Sequence, residues 1–534
     1  MSATSALLPL VAGSAAVAGV ARRYQLSAPL LLVVVGLGVS YIPGVPNYTI
    51  KPEVVLPLVL PPLLYTSALD SSLSSLKRNL RPVALLSVGY VLFSTVAVGL
   101  VMHAVVPGLP LPAAFVLGAV VAPPDAVAAT AVARRVGLPR RIVTILQGES
   151  LANDATAITA YRVALAAAVG EGFSWGTAVG HFLLAALGGT AVGVVLMWPL
   201  GRLRTKLSDP LLLNTFSLLV PFVAYGAAEA FEASGVIAVV VVGLYLGHYA
   251  YQVDFALRLQ EDAVWTMVSF VLESVVFALI GLQLPVVLRA LGSNYSAAQL
   301  FGWAVLILAA VIGFRAVWVW PATYLPFLVS RRVRRREQMP DWTRPVIVGW
   351  AAMRGVVSMA VAFSIPETVH DGSPFPDRDL ILYLTFVVVI GTLLIHGVTL
   401  PKLVRLLPLP QRDPQREILI EAQAQHDASD AAEKRLDELL EDPANQLPGP
   451  LEERLRRVMD RRRNGVWERL GAPVSDDTGE SADAVYRRLG REAIDTERQT
   501  FVELRDSGRI DDELYRRLVH QLDLEEALVA HQDE

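Results

Sequence analysis

Apolar runs of the length needed to cross about 30 Å of hydrocarbon recur from Ser5 to Arg405 and then stop. Such runs point to an all-α membrane protein, since a helix satisfies its own backbone in lipid. Thirteen segments are read, centred near Ala15, Val34, Leu58, Phe93, Val120, Ala157, Ala185, Leu219, Val241, Val271, Leu308, Val356 and Val388. Composition agrees, because only 18% of the 534 residues are charged, against about a quarter in a soluble domain. The run Ser5 to Ala21 has no basic stretch before it and Arg22-Arg23 behind it, which suits a retained span better than a signal peptide.

Loop charge tests the count, because cytoplasmic loops are enriched in Lys and Arg. Loops 22–27, 71–81, 134–141, 201–209, 250–262 and 330–342 carry 18 of these residues, while the six alternating loops carry three, Lys51, Arg289 and Arg378. A span missed or invented in the middle would erase that division. It predicts a multi-pass cell-membrane protein with its N-terminus outside and its C-terminus in the cytoplasm. An odd number of spans also lets two sets of six lie in opposite orientation, the inverted-repeat plan, which pairs segment 5 with segment 12 and segment 6 with segment 13.

The chain therefore divides into a transmembrane domain, 1–410, and a tail, 411–534. The tail holds 19 Lys and Arg against 31 Asp and Glu, a net of −12, which leaves +8 for the membrane part. An acidic tail beyond a basic membrane part excludes nucleic acid as a partner, since phosphate neutralisation needs clustered basic residues. Apolar residues recur at helical spacing from Arg416 to Leu440, Leu451 to Leu470 and Ala482 to Leu528, between prolines, so the tail reads as short amphipathic helices without a nucleotide loop or metal cluster. Cysteine is absent, which removes disulfides, thiolate metal sites and a cysteine nucleophile. No cofactor is expected.

Three segments contain polar groups that cost several kcal/mol to bury unless they are paired or line a wet cavity. Segment 6 reads Gln147-Gly148-Glu149-Ser150-Leu151-Ala152-Asn153-Asp154. On a helix Ser150 and Asp154 share one face, and Glu149 and Asn153 the adjoining one. Carboxylates here can serve merely to lock helices by pairing with arginine; that reading suits Glu149, whereas Asp154 reads as functional. Segment 5 carries Ala122-Pro123-Pro124-Asp125 at its centre, where two prolines should interrupt the helix and free backbone carbonyls for an ion, with Asp125 capping the helix that restarts. The plain alternative is a kink. Segment 12 has Met353-Arg354-Gly355 inside an apolar run, at the position matching the Pro-Pro break. Arg354 either snorkels to the cytoplasmic side or pairs with Glu149, and pairing is expected because an unpaired mid-membrane carboxylate is the costlier outcome. Glu229, Glu273, Gln283, His103 and His396 are weaker candidates, with interhelical hydrogen bonding as their default.

The strings Gly148-Glu149-Ser150-Leu151-Ala152-Asn153-Asp154, Ala122-Pro123-Pro124-Asp125-Ala126-Val127 and Arg354-Gly355-Val356-Val357-Ser358 resemble those of the electroneutral cation:proton antiporters, the bacterial sodium/proton exchangers related to animal exchangers. The resemblance implies about thirteen transmembrane helices in an inverted repeat, with two broken helices crossing near the site and a bundle that forms a homodimer. It implies that Asp154 binds Na+ and H+ in turn, with Ser150 as a neighbouring ligand and backbone carbonyls near Pro124 and Asp125 in contact with the ion. Asn153 and Glu149 take bracing roles, and Arg354 the ion-pair role. Two departures bear on ion preference: Pro124-Asp125-Ala126 stands where many relatives have Thr-Asp-Pro, and Thr66 stands where some carry an acidic residue.

Desolvation favours a protonated carboxylate and a bound cation favours an ionised one, so H+ and Na+ compete for a single buried group. Asn rather than a second aspartate at position 153 suits one H+ per Na+ and no net charge movement. The expected function is monovalent cation exchange for protons, serving pH homeostasis, rather than enzymatic turnover. Alternatives are a K+-preferring exchanger, a cation channel and an intramembrane hydrolase; the last lacks a histidine near Ser150 and Asp154 in sequence.

Overall fold

The computed structural model describes residues 3–24, 26–43, 52–125, 138–170, 175–292, 294–336 and 339–408 in the first part of the chain. Beyond it the described residues are 414–442, 445, 447–457, 459–460, 482–507 and scattered positions to 526. The chain separates into two compact units, Met1–Pro410 and Gln411–Glu534.

Between its turns and connecting segments the described part of the first unit is helical, with one isolated bridge, Thr368 to Pro374, in a loop. Its principal helices are α1 (Ala3–Arg23), α2 (Ala28–Val39), α3 (Pro52–Leu69), α4 (Leu80–Val105), α5 (Leu111–Val121), α6 (Arg140–Ala168) and α7 (Trp175–Arg204). There follow α8 (Pro210–Glu229), α9 (Gly235–His248), α10 (Phe255–Leu291), α11 (Ala297–Val329), α12 (Thr343–Trp350), α13 (Val356–Phe363) and α14 (Arg378–Leu406). All thirteen segment centres fall on these helices. Six described helices have the length and apolar composition to cross a membrane: α4, α8, α11 and α14, with most of α7 and α10.

Local chemistry sets several starts. Asp209 accepts from the backbone N–H groups of Leu211 and Leu212 at the head of α8, and Ser234 accepts from that of Ile237 at the head of α9. Ser296 and Gln299 form a reciprocal capping box on α11. Small residues then let helices approach through their backbones. A methyl group at Gly36 of α2 would lie 2.6 Å from the carbonyl oxygen of Ala278, and one at Gly281 of α10 would meet that of Val33. α2 and α10 cross there without side chains between them.

A buried polar cluster ties the ends of several helices. Arg204 of α7 pairs with Glu261 of α10 and donates to the carbonyl of Leu246 at 2.6 Å. Ser217 of α8 donates to Glu261 at 2.5 Å and accepts from Trp265 Nε1 at 2.9 Å. Arg204 and Glu261 are each only 4% exposed, so the pair satisfies two charges that would otherwise be prohibitive there.

In the second unit, α15 (Pro414–Leu440) and α16 (Ala482–Asp506) are helices rich in charge. Arg456 reaches Asp437 at 2.7 Å and Glu452 at 3.0 Å, and Arg498 reaches Asp523 at 2.9 Å and Glu526 at 2.5 Å. These are exposed ion pairs within the unit.

Candidate ion-binding site

The helix of segment 5 ends where its prolines require. α5 stops at Val121, and residues 122–125 leave the helical path, since neither Pro123 nor Pro124 has an N–H to continue the ladder. The expected restart capped by Asp125 falls on residues 126–137, outside those described. Segment 12 is interrupted as well: α12 ends at Trp350, 351–355 are unwound, and α13 begins at Val356.

The two interruptions meet. The N–H of Asp125 donates to the carbonyl of Met353 at 2.6 Å. Gly355 presses directly on the Asp125 side chain, where an added methyl would lie 2.8 Å from Asp125 Cβ and collide with the carboxylate. Only a residue without Cβ leaves room for that contact. The backbone of Gly355 is extended, so space rather than conformation selects glycine.

Arg354 does not pair with Glu149, contrary to expectation. Its Nε donates to the carbonyl of Val121 at 3.1 Å, Nη1 to that of Ala352 at 2.5 Å, and Nη2 to the Tyr90 hydroxyl at 2.7 Å and the Ala122 carbonyl at 3.4 Å. Its own N–H donates to Thr392 Oγ1 at 3.0 Å. The last carbonyls of a helix have no intrahelical donors and carry partial negative charge, so the end of α5 supplies a ready cation site. Arg354 fills that site and is fully buried.

Glu149 finds its cation on α11 instead. Arg315 approaches it with both terminal nitrogens, Nη2 donating to Oε2 at 2.7 Å and Nη1 to Oε1. Nη2 also donates to the Val348 carbonyl at 3.1 Å, and the guanidinium carbon lies 4.7 Å from the centre of the Tyr90 ring. Both charged side chains are 2% exposed or less, and two-point pairing is the geometry that best offsets such burial. Tyr90 thus offers its ring face to one buried arginine and its hydroxyl to another. Neither Arg315 nor Tyr90 was singled out from the sequence, although Arg315 obeys the signal that marked Glu149: a charge inside a long apolar run.

α6 delivers the remaining groups. Asn153, fully buried, donates from Nδ2 to the carbonyl of Pro124 at 2.6 Å, so this helix is tied directly to the break in segment 5. Asp154 is 7% exposed, and among the described residues none donates a hydrogen bond to it. Asp125 follows Pro124 in the chain, next to the carbonyl that Asn153 holds. Ser150 lies one turn before Asp154 on the same helix face and is half-buried. The oxygen groups carried by α6 and by the break that Asn153 holds are carboxylates, a hydroxyl and backbone carbonyls, a set that suits an alkali cation.

Among the weaker candidates, Glu229, His103 and His396 have the following neighbours. Arg162 of α6 donates to Glu229 at 3.0 Å and to the Tyr225 hydroxyl at 3.0 Å, an interhelical bond as expected by default. His103 Nδ1 lies 2.7 Å from the Leu109 carbonyl, and His396 packs its ring against Trp350. Thr66 Oγ1 donates to the Leu63 carbonyl at 2.9 Å and lies 3.4 Å from Ser269 Oγ.

Comparison with known proteins follows the same lines. The chain is 33% identical over 511 residues to an uncharacterized Na(+)/H(+) exchanger of Mycobacterium tuberculosis H37Rv, covering 95% of this chain and 92% of that one. It is 32% identical over 435 residues to a sodium, potassium, lithium and rubidium/H(+) antiporter of Bacillus pumilus, covering 79% of this chain and 63% of that protein. The structure of the sodium proton antiporter MjNhaP1 from Methanocaldococcus jannaschii shares its fold, with a TM-score of 0.61 at 20% identity, over 76% of this chain and 99% of that one. A family model for the transmembrane part of sodium/hydrogen exchangers matches residues 11–406. The chain belongs to the sodium/hydrogen exchanger family, a family of membrane antiporters.

Proposed function

We propose that this chain exchanges Na+ for H+ across the cell membrane at Asp154, which holds one or the other but not both. The observation that carries the reading is the placement of Asp154: a buried carboxylate without a hydrogen-bond donor among the described residues, one residue from the asparagine that grips the Pro124 carbonyl. Ser150 and backbone carbonyls near Pro124, with Asp125, complete the cation ligands. A bare charge facing the cost of crossing lipid stays where it is, whereas a neutralised site can change the side it faces, and that difference couples the two fluxes.

Asn153 cannot titrate, so Asp154 exchanges one charge for one charge and transport is electroneutral. The remaining architecture of the reading is a thirteen-span inverted repeat with the N-terminus outside, a cytoplasmic tail at 411–534 and a homodimer. Exposed apolar side chains of α7, among them Leu184, Leu187 and Val195, suit lipid or a second copy of the chain.

The decisive test is dissipation of a pH gradient in vesicles by Na+, Li+ and K+, comparing the native chain with Asp154→Asn. Cation-dependent dissipation lost in the variant, with insertion and folding intact, supports the reading; exchange retained by the variant removes Asp154 from the site. A K+-preferring exchanger is the second reading, favoured by the potassium in the name of the Bacillus relative, and the same assay ranks the ions. Conductance across the vesicle membrane would mark a channel instead.

A further inference from the structure

Away from the ion site, a cavity of about 80 Å³ opens between α4, α6, α11 and the start of α12. Three arginines from three separate helices line it: Arg81, Arg141 and Arg344. The wall behind them is apolar, formed by Leu86, Ile142 and Phe327 among others, and Arg81 stacks on the Phe327 ring at 5.3 Å. Arg81 and Arg344 are half-buried and Arg141 is exposed. Leu80 and Leu328, next in sequence to two lining residues, are 60% and 66% exposed.

We propose that this cavity binds the phosphate headgroup of an anionic phospholipid from the cytoplasmic leaflet, with the acyl chains running over the apolar flank beside Leu80 and Leu328. Arginine matches a phosphate diester in both charge and planar hydrogen-bonding geometry. Arg81 and Arg141 belong to basic loops placed on the cytoplasmic side and Arg344 follows a third, and basic pockets between helices on that side are where anionic headgroups settle. The exposed apolar flank favours a lipid over free phosphate, which would gain nothing from it. This assignment rests on the proposed orientation, not on the identity of the transported ion.

The cavity also touches the machinery of the site. Its lining residue Val348 supplies the carbonyl that Arg315 binds at 3.1 Å, and Ile145 lies one turn before Glu149 on α6. A headgroup held there clamps together the helices that carry the Glu149–Arg315 pair, and so stabilises the folded protein.

Full-length protein is reconstituted in vesicles of phosphatidylcholine alone, or of phosphatidylcholine and phosphatidylglycerol in equal parts, then released for native mass spectrometry and thermal unfolding. The native chain is expected to retain phosphatidylglycerol in preference to phosphatidylcholine and to unfold at higher temperature with it. R141Q/R344Q should lose that retention by about tenfold or more, since it removes two of the three basic side chains that line the cavity. R141K/R344K should keep part of it, and R334Q/R335Q, exposed on the short helix Arg331–Arg336, should keep all of it. Equal retention of both lipids, retention unchanged in R141Q/R344Q, or displacement of the lipid by inorganic phosphate would each overturn the assignment. Cation-dependent exchange, followed in the same vesicles, reports separately on the proposed function.

Discussion

Asn153 reaches across from α6 to hold the carbonyl of Pro124 at 2.6 Å, joining the helix that carries Asp154 to the interrupted end of segment 5. The residue proposed to bind the proton and the backbone proposed to ligate the cation are therefore tied to one another by a single amide.

Asn153→Ala should uncouple them. A buried hydrogen bond lost with its acceptor left behind costs about 1–3 kcal/mol, so the variant should melt at lower temperature and show a raised KM for Na+. Thermal unfolding and vesicle exchange measure the two effects, and an unchanged KM would show that the amide braces the fold alone.

Glu149 and Arg315 make a sharper prediction, because the partner differs from the one expected. Glu149→Gln or Arg315→Gln alone leaves an uncompensated buried charge and should destabilise by about 3–5 kcal/mol. The double substitution should recover a measurable part of that loss. Glu149→Gln combined with Arg354→Gln should recover none, since Arg354 serves the carbonyls of Val121, Ala122 and Ala352. Double-mutant cycles on thermal stability decide between the two pairings.

Gly355→Ala tests the meeting of the two interruptions. The new methyl must displace the Asp125 carboxylate, and exchange should fall by about tenfold, equivalent to ~1.4 kcal/mol. If α13 simply shifts to accommodate the methyl, transport stays near native and Asp125 has no role that depends on its position.

Competition between H+ and Na+ has a definite sign. If protons and Na+ share Asp154, as proposed, the apparent KM for Na+ should rise as pH falls on the side of Na+ binding, approaching about tenfold per pH unit once the protonated form dominates, while the maximal rate at saturating Na+ is less affected. A KM independent of pH would separate the proton site from the cation site.

Much of the architecture was legible before any coordinates, and the reason is the cost of polarity in lipid. Glu149, Asn153, Asp154, the Pro123-Pro124 pair and Arg354-Gly355 stand out because an apolar helix has no use for them, and the structure brings all of them to one crossing. Partnership was less legible. Cost says that Glu149 needs a cation but is silent on which one, and Arg354, the cation expected for it, is claimed by the carbonyls at the end of α5. Arg315 escaped attention because one arginine in the 33 residues of α11 scarcely dents the hydropathy of the run. The touch between Gly355 and Asp125 depends on how two unwound segments lie across each other, which no local pattern encodes.

The two buried arginines have a last consequence. Glu149 is matched by Arg315, and Arg354 by the carbonyls at the end of α5. If Asp154 is the exchange site, as proposed, the ion that neutralises it meets no unmatched positive charge from either guanidinium, and the field around the site is set by groups that need never touch the cargo.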